Sequence, residues 1–168
     1  MSDDEEAFRA FAASRRPRLL RAAYLLTGDA WSAEDLVQTA LFKLALRWRR
    51  VSASGDPEPY VRRILYTEHV SRWRRGGPVE VLGGQGPEPV VGPDDAERRL
   101  VLREALGRLT PKQRAVLVLR FYEDRTETQA AAVLGCAPGT VKSQTRHALM
   151  RLRQLAPELA EIFQEATR

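Results

Sequence analysis

An all-α protein of two small helical domains joined by a flexible linker is what the sequence predicts, and three observations carry that expectation. Apolar residues recur at i, i+3 and i+4 spacing through both halves of the 168-residue chain. No alternating strand pattern occurs anywhere. Between the halves, residues 76–93 read GGPVEVLGGQGPEPVVGP, dominated by Gly and Pro and without helical period. The expected limits are a first domain over 1–75, a linker over 76–95, a second domain over 96–154 and a short tail over 155–168.

The elements follow in order. A first helix is expected over about 3–14, with Phe8, Phe11 and Ala12 inward, and a second from Pro17 to Gly28, with Leu19, Leu20, Ala23 and Tyr24 inward. A third starts after Asp29 and carries Leu36, Val37, Leu41, Phe42, Leu44 and Ala45. The fourth begins around 57–59 and holds Val61, Ile64, Leu65, His69 or Val70, and Trp73. In the second domain, Thr110-Pro111-Lys112-Gln113 opens a helix with a hydroxyl N-cap, Pro at the first position and Gln at the third. Thr126-Glu127-Thr128-Gln129 repeats the capping-box spacing, and Gly135 supplies a left-handed stop. Pro138 then opens a final helix carrying Lys142, Arg146, Arg151 and Arg153, with no acidic residue through Leu155.

That pair of helices reads as a helix-turn-helix, in which the second helix enters the major groove and its N-terminal residues meet base edges. Ala130, Val133 and Leu134, then Val141, Ala148, Leu149 and Leu152, put small and branched residues at the crossing and leave the polar face free. A net charge of +5 and a pI near 9.9 suit a polyanionic partner. The lone Cys136 excludes a disulfide framework and fits a reducing cytoplasm. Residues 2–6 are acidic where a secretion signal would be basic and then apolar, and no apolar run reaches membrane-spanning length. A cytoplasmic chain with no membrane partner is therefore expected.

Four features in this order, AEDLVQTALFKL (33–44), PEPYVRRILYTEHVSRWRR (57–75), a Gly/Pro linker and LTPKQRAVLVLRFYED…GTVKSQ, resemble the extracytoplasmic-function sigma factors, in particular the actinobacterial SigE-type group. The resemblance covers the chain from about Phe8 to Arg153. It implies an RNA polymerase subunit that recognises promoter −35 and −10 elements, promotes melting and starts transcription, with region 2 in the first domain and region 4 in the second. On the third helix it implies docking on core RNA polymerase through Glu34, Asp35, Gln38 and Leu41. Thr39 stands where the family usually has an acidic residue, so Asp35 and Gln38 carry more weight.

For −10 recognition and melting, the resemblance points to the fourth helix and the loop before it, about 51–58. Ser54, Asp56, Tyr60, Arg62, Arg63, Tyr66, Thr67, Arg72, Trp73, Arg74 and Arg75 fall there. Arginines meet phosphates and aromatic faces stack on unpaired bases. Tyr66 and Trp73 suit core packing equally well. Thr67 stands where Asn is frequent and cannot make the bidentate adenine contact of an amide. For −35 recognition the residues are Thr126, Pro138, Gly139, Thr140, Lys142, Ser143, Gln144, Arg146 and His147. Arg146-His147 departs from the family's small-residue–Arg order, which turns the arginine by about 100° around the helix. Ala137 replaces the usual hydroxyl N-cap.

A stand-alone DNA-binding repressor would share the second domain, but has no need of an Arg/aromatic helix beside an acidic-apolar face. An enzyme is not expected: His69 and His147 fall on different domains, and no HExxH, P-loop, nucleophile elbow or CxxC occurs. No cofactor or metal is implied. Regulation by an anti-sigma factor or by expression level would each serve, and the linker allows either mobile or folded-back domains.

Overall fold

The computed structural model describes residues 2–76 and 93–159, and among them it contains eight α-helices and one π-helical turn, with no strand. Helix α1 spans Asp3–Thr27. The Ser2 hydroxyl accepts from the Glu5 amide at 3.3 Å, and four acids in the first turn face the positive end of the helix dipole. Gly28, at φ 80°, ends it.

The break expected at Pro17 does not occur. Phe8 and Phe11 pack on Trp48 with ring centroids 5.4 and 5.5 Å apart, while Leu19, Ala22, Ala23 and Leu26 enter the core beyond the proline. Packing on both sides of Pro17 against one bundle holds a single course. It offsets the roughly 3 kcal/mol cost of a helix-interior proline.

Helix α2, Ala30–Ala45, is capped by Asp29, which accepts from the Ser32 amide at 2.8 Å. It buries Ala33, Leu36, Val37, Ala40 and Leu44. Phe42 and Ala45, expected inward, face solvent instead. Phe42 is two residues from both Ala40 and Leu44, and so about 200° around the helix from each. Helix α3, Trp48–Ala53, occupies part of the expected loop because Trp48 and Val51 stand one turn apart and both bury. Helix α4, Glu58–Gly76, starts where Asp56 accepts from the Glu58 amide at 3.0 Å.

The linker residues 77–92 lie outside the described residues. Helix α5, Pro93–Gly107, takes the last residues assigned to the linker, and Ala105, Leu106 and Leu109 anchor its end. Helix α6, Pro111–Leu117, and α7, Glu127–Leu134, both open with the reciprocal Thr/Gln capping box expected. Between them α6 widens into a π-helical turn over Val118–Tyr122, closed by the Glu123 amide on the Val118 carbonyl at 2.9 Å. Gly135, at φ 66°, ends α7, and α8 runs Pro138–Leu155. Ala156 and Leu159 pack into the second domain, while Ile162 and Phe163 of the tail lie outside the described residues.

The two domains fold back on each other, with α4 against α6 and α7 and with α1 against α5 and the π turn. Arg103 donates to the Tyr24 hydroxyl at 2.8 Å. Arg114 reaches from α6 to the Leu26 carbonyl at the C-terminal end of α1, where partial negative charge gathers. It also donates to the carbonyls of Gly107 and Leu109 at 3.3 and 3.4 Å. Burial lowers its pKa to about 10, so it stays charged at neutral pH.

Candidate functional site

Three surfaces collect the residues singled out from the sequence. The first is the outer face of α2. Its inward stripe, Ala33–Leu36–Val37–Ala40–Leu44, leaves Trp31, Asp35, Gln38, Phe42 and Leu46 exposed along the opposite side. Three of these are large and apolar: Trp31 is 74%, Phe42 64% and Leu46 70% exposed. The sequence reading puts Phe42 in the core and singles out neither Trp31 nor Leu46. The signal was the near-heptad spacing 31, 35, 38, 42, opposite a complete apolar stripe. Leu41 is half-buried against the core, and Glu34 is half-buried and paired with Arg16. An apolar patch with an acidic and an amide group at its middle has the make-up of a protein-docking surface.

The second surface lies between α3, the following turn and α4. Arg47, Arg50, Ser54, Asp56, Tyr60 and Arg63 line a cleft of about 590 Å³. Ser54 and Asp56 are partly used in the turn itself, the hydroxyl donating to the Val51 carbonyl at 2.8 Å and the carboxylate capping α4. The Thr67 hydroxyl turns back to the Arg63 carbonyl at 2.7 Å. Trp73 is 49% exposed, and Arg74 and Arg75 are exposed near it, with Arg75 3.6 Å from Glu68. Arg72 does not lie free: it pairs with Asp35 at 2.7 Å and donates to the Thr39 hydroxyl at 2.9 Å.

Arg62 and Tyr66, expected at the DNA, are buried in this arrangement. Arg62 bonds Glu58 at 2.8 Å on its own helix and Glu123 of the second domain at 3.0 Å. The Tyr66 hydroxyl donates to the same Glu123 carboxylate at 3.0 Å. Burial, and then the Glu123 charge, raises the Tyr66 pKa well above its ordinary value, so the phenol stays protonated and donates. His69 is buried at the contact with α6. Burial and the neighbouring Arg114 lower its pKa to about 4, against a smaller upward push from the Pro111 carbonyl.

The third surface is the outer side of α8. Val141, Ala148 and Leu152 bury, so Pro138, Gly139, Thr140, Lys142, Ser143, Arg146 and His147 stand exposed, with Gln144 half-exposed. Thr126 does not join them as a free hydroxyl: it caps α7 by accepting from the Gln129 amide at 3.1 Å. Ala137 makes no side-chain cap, as expected. The exposed face is basic and polar, with free side chains in the first three turns. Among the described residues no cluster of His, Cys, Asp and Glu is arranged to hold a metal, and no helix is long and apolar enough to cross a membrane.

Comparison with known proteins finds two family matches in the chain. Residues 6–78 match the family described as Sigma-70 region 2, and residues 99–152 match Sigma-70, region 4. The RNA polymerase sigma-E factor of Streptomyces coelicolor is 38% identical over 151 residues, covering 88% of this chain and 84% of that protein. The ECF RNA polymerase sigma factor SigL of Mycobacterium tuberculosis is 33% identical over 151 residues, covering 84% of each. Among solved structures, the sigma factor RpoE in complex with the anti-sigma factor NepR from Bartonella quintana superimposes with a TM-score of 0.69 at 26% identity. That match covers 91% of this chain and 98% of the other.

Proposed function

Because the chain belongs to the extracytoplasmic-function RNA polymerase sigma factors, we propose a residue-level division of labour for promoter recognition and transcription initiation. The outer face of α2 docks on core RNA polymerase, α8 reads the −35 element, and the α3–α4 cleft reads and holds the melted −10 strand. The observation that carries this reading is the separation of exposed faces. An apolar stripe with Asp35 at its middle lies on one domain and a basic helix face on the other.

Each surface suits its task physically. Trp31, Phe42 and Leu46 supply apolar anchors, and Asp35 a charge that favours a basic partner. Lys142 and Arg146 reach phosphate or guanine edges from the first turns of α8. In the cleft, Arg47, Arg50 and Arg63 track the backbone of a single strand, and Tyr60 offers a face for a base. Opening a duplex costs about 1.4 kcal/mol of stacking per step, which capture of extruded bases offsets.

The chain contributes binding and orientation while nucleotide addition belongs to the polymerase, so no catalytic residue or cofactor is assigned to it. Its place is the cytoplasm, with the polymerase. An anti-sigma factor is a fitting regulator, since the apolar groove between the domains, lined by Leu20, Tyr24, Leu25, Leu102 and Phe121 with Arg21 and Arg99 beside them, suits an amphipathic helix with acidic flanks. Co-elution of the chain with core polymerase on size exclusion tests the docking face. Separate elution at micromolar concentrations would contradict it.

A further inference from the structure

Three arginines meet at one cleft with their charge unmatched. Arg47, Arg50 and Arg63 line the space of about 590 Å³ between α3, the turn after it and α4, and none has an ion-pair partner among the described residues. Their neighbours are neutralised. Arg49 reaches Asp4 at 2.7 Å, Arg62 reaches Glu58 at 2.8 Å and Glu123 at 3.0 Å, and Arg15 also pairs with Glu58. The nearby carboxylates are thus engaged elsewhere, and three guanidiniums are left to one cavity. All three residues are exposed, so a charged ligand reaches them from solvent without a domain movement.

The other walls supply what a bare anion would not use. Tyr60 is half-buried at the cleft, and Val133 adds apolar surface to it. Asp56 lines it as well. One carboxylate oxygen accepts from the Glu58 amide at 3.0 Å, and the other has no partner among the described residues. Ala132 and Val133 belong to α7, so the second domain bounds the cavity on one side. A Cβ built on Gly135, at the end of α7, would lie 3.6 Å from the Arg63 guanidinium, which puts that cation at the seam. A bounded space of this size suits one small molecule, since ligand pockets run about 300–1,000 Å³.

We propose that the cleft binds a free nucleoside 5′-triphosphate across both domains. Arg47, Arg50 and Arg63 take the phosphate chain, Tyr60 offers its ring to the base, and Asp56 accepts from hydroxyl or amino groups of the nucleoside. Charge and shape select this class. Inorganic phosphate makes no use of the ring, and the Asp56 carboxylate opposes it. An uncharged nucleoside leaves the guanidiniums unmatched. A nucleotide engages every group at once, because guanidinium forks match phosphate oxygens and an aromatic face accepts any base. The proposal concerns the chain without polymerase or DNA and does not rest on the −10 reading. Under that reading the nucleotide and the −10 strand use the same arginines and exclude one another.

Isothermal titration of the full chain with GTP, ATP and inorganic tripolyphosphate tests the site directly. One saturable site per chain is expected for at least one of the nucleotides, with a dissociation constant below about 1 mM. Tripolyphosphate should bind at least tenfold more weakly. Arg50→Ala and Arg63→Ala truncate exposed side chains, so each should unfold at the wild-type temperature and lose affinity at least tenfold. Ala132→Glu sets an acid on the α7 wall and should lose as much.

No saturation by either nucleotide, tripolyphosphate as tight as the nucleotides, or folded arginine variants with wild-type affinity would each overturn the proposal. Wild-type affinity in Ala132→Glu would overturn the part of it that assigns a wall to the second domain.

Discussion

Arg72 on α4 lies 2.7 Å from Asp35 on α2, so a residue expected at DNA and a residue expected at polymerase hold each other. Asp35 remains 68% exposed, and an exposed pair of this kind is worth at most ~1 kcal/mol to the fold. Its use lies in position: the guanidinium sets the carboxylate at the centre of the Trp31–Phe42 stripe.

Asp35→Arg should therefore cost little stability and lower association with core polymerase on the order of 100-fold, as expected for reversing an interface charge. The double variant Asp35→Arg/Arg72→Asp restores the internal pair. If polymerase docking uses Asp35 directly, biolayer interferometry will find the double variant as weak as the single one. Recovery of binding would reduce Asp35 to a support for Arg72.

Trp31→Ser and Phe42→Ser should each weaken core association by about tenfold or more, about 1.4 kcal/mol or above. Both side chains are mostly exposed, so thermal stability should change by no more than ~0.5 kcal/mol. Unaltered affinity in a competition titration against a second sigma factor would remove these residues from the docking face.

Much of this architecture was legible because its signals are local. Thr110 with Gln113, Thr126 with Gln129, Asp29 and Gly135 mark helix ends within four residues of the groups they satisfy. What escaped depends on distance or on competition. Pro17 reads as a break until Phe8, Phe11 and Leu26 are seen packing on one bundle. Phe42 reads as core by composition and as surface by its angle around α2. The Glu123 pairing joins residues 57 and 61 positions apart, and nothing in the local pattern of Tyr66 or Arg62 announces it.

The two aromatic residues proposed for melting should separate on mutation. Tyr66 is fully buried, so Tyr66→Ala should cost roughly 3–5 kcal/mol of stability, as large core truncations do. Trp73 is half exposed, so Trp73→Ala should leave unfolding nearly unchanged and impair open-complex formation more than closed-complex binding. Permanganate footprinting alongside calorimetry distinguishes these outcomes. A Trp73 variant that melts early yet opens promoters normally would assign the ring to packing.

Lys142→Ala should weaken binding to −35 duplex about tenfold and reduce the slope of log affinity against log salt by about 1 if the ammonium meets a phosphate. Fluorescence anisotropy across a salt series measures both. An unchanged slope together with lost sequence preference would move Lys142 from phosphate to base contact.

His69 predicts an acid limb in stability. Its folded pKa, about 4, lies below the ordinary 6.5, so the unfolded chain binds a proton that the folded one refuses. Stability is then full above about pH 6.5 and falls as the pH drops toward 4, by up to about 3 kcal/mol. Arg114 from α6 and Arg72 from its own helix both oppose the charge, and only the Pro111 carbonyl favours it. Urea unfolding between pH 7 and 4 should show this loss in the wild type and less of it in His69→Gln. Parallel curves for the two proteins would exclude His69 as its source.

The central claim is that this chain directs initiation through two promoter elements, and selective run-off transcription tests it most directly. The purified chain is added to bacterial core RNA polymerase with a genomic promoter library. Discrete starts that require the chain, and that share one motif near −35 and another near −10, are the predicted result. Duplex binding by the chain alone, with neither core association nor specific starts, would contradict it and identify a stand-alone repressor.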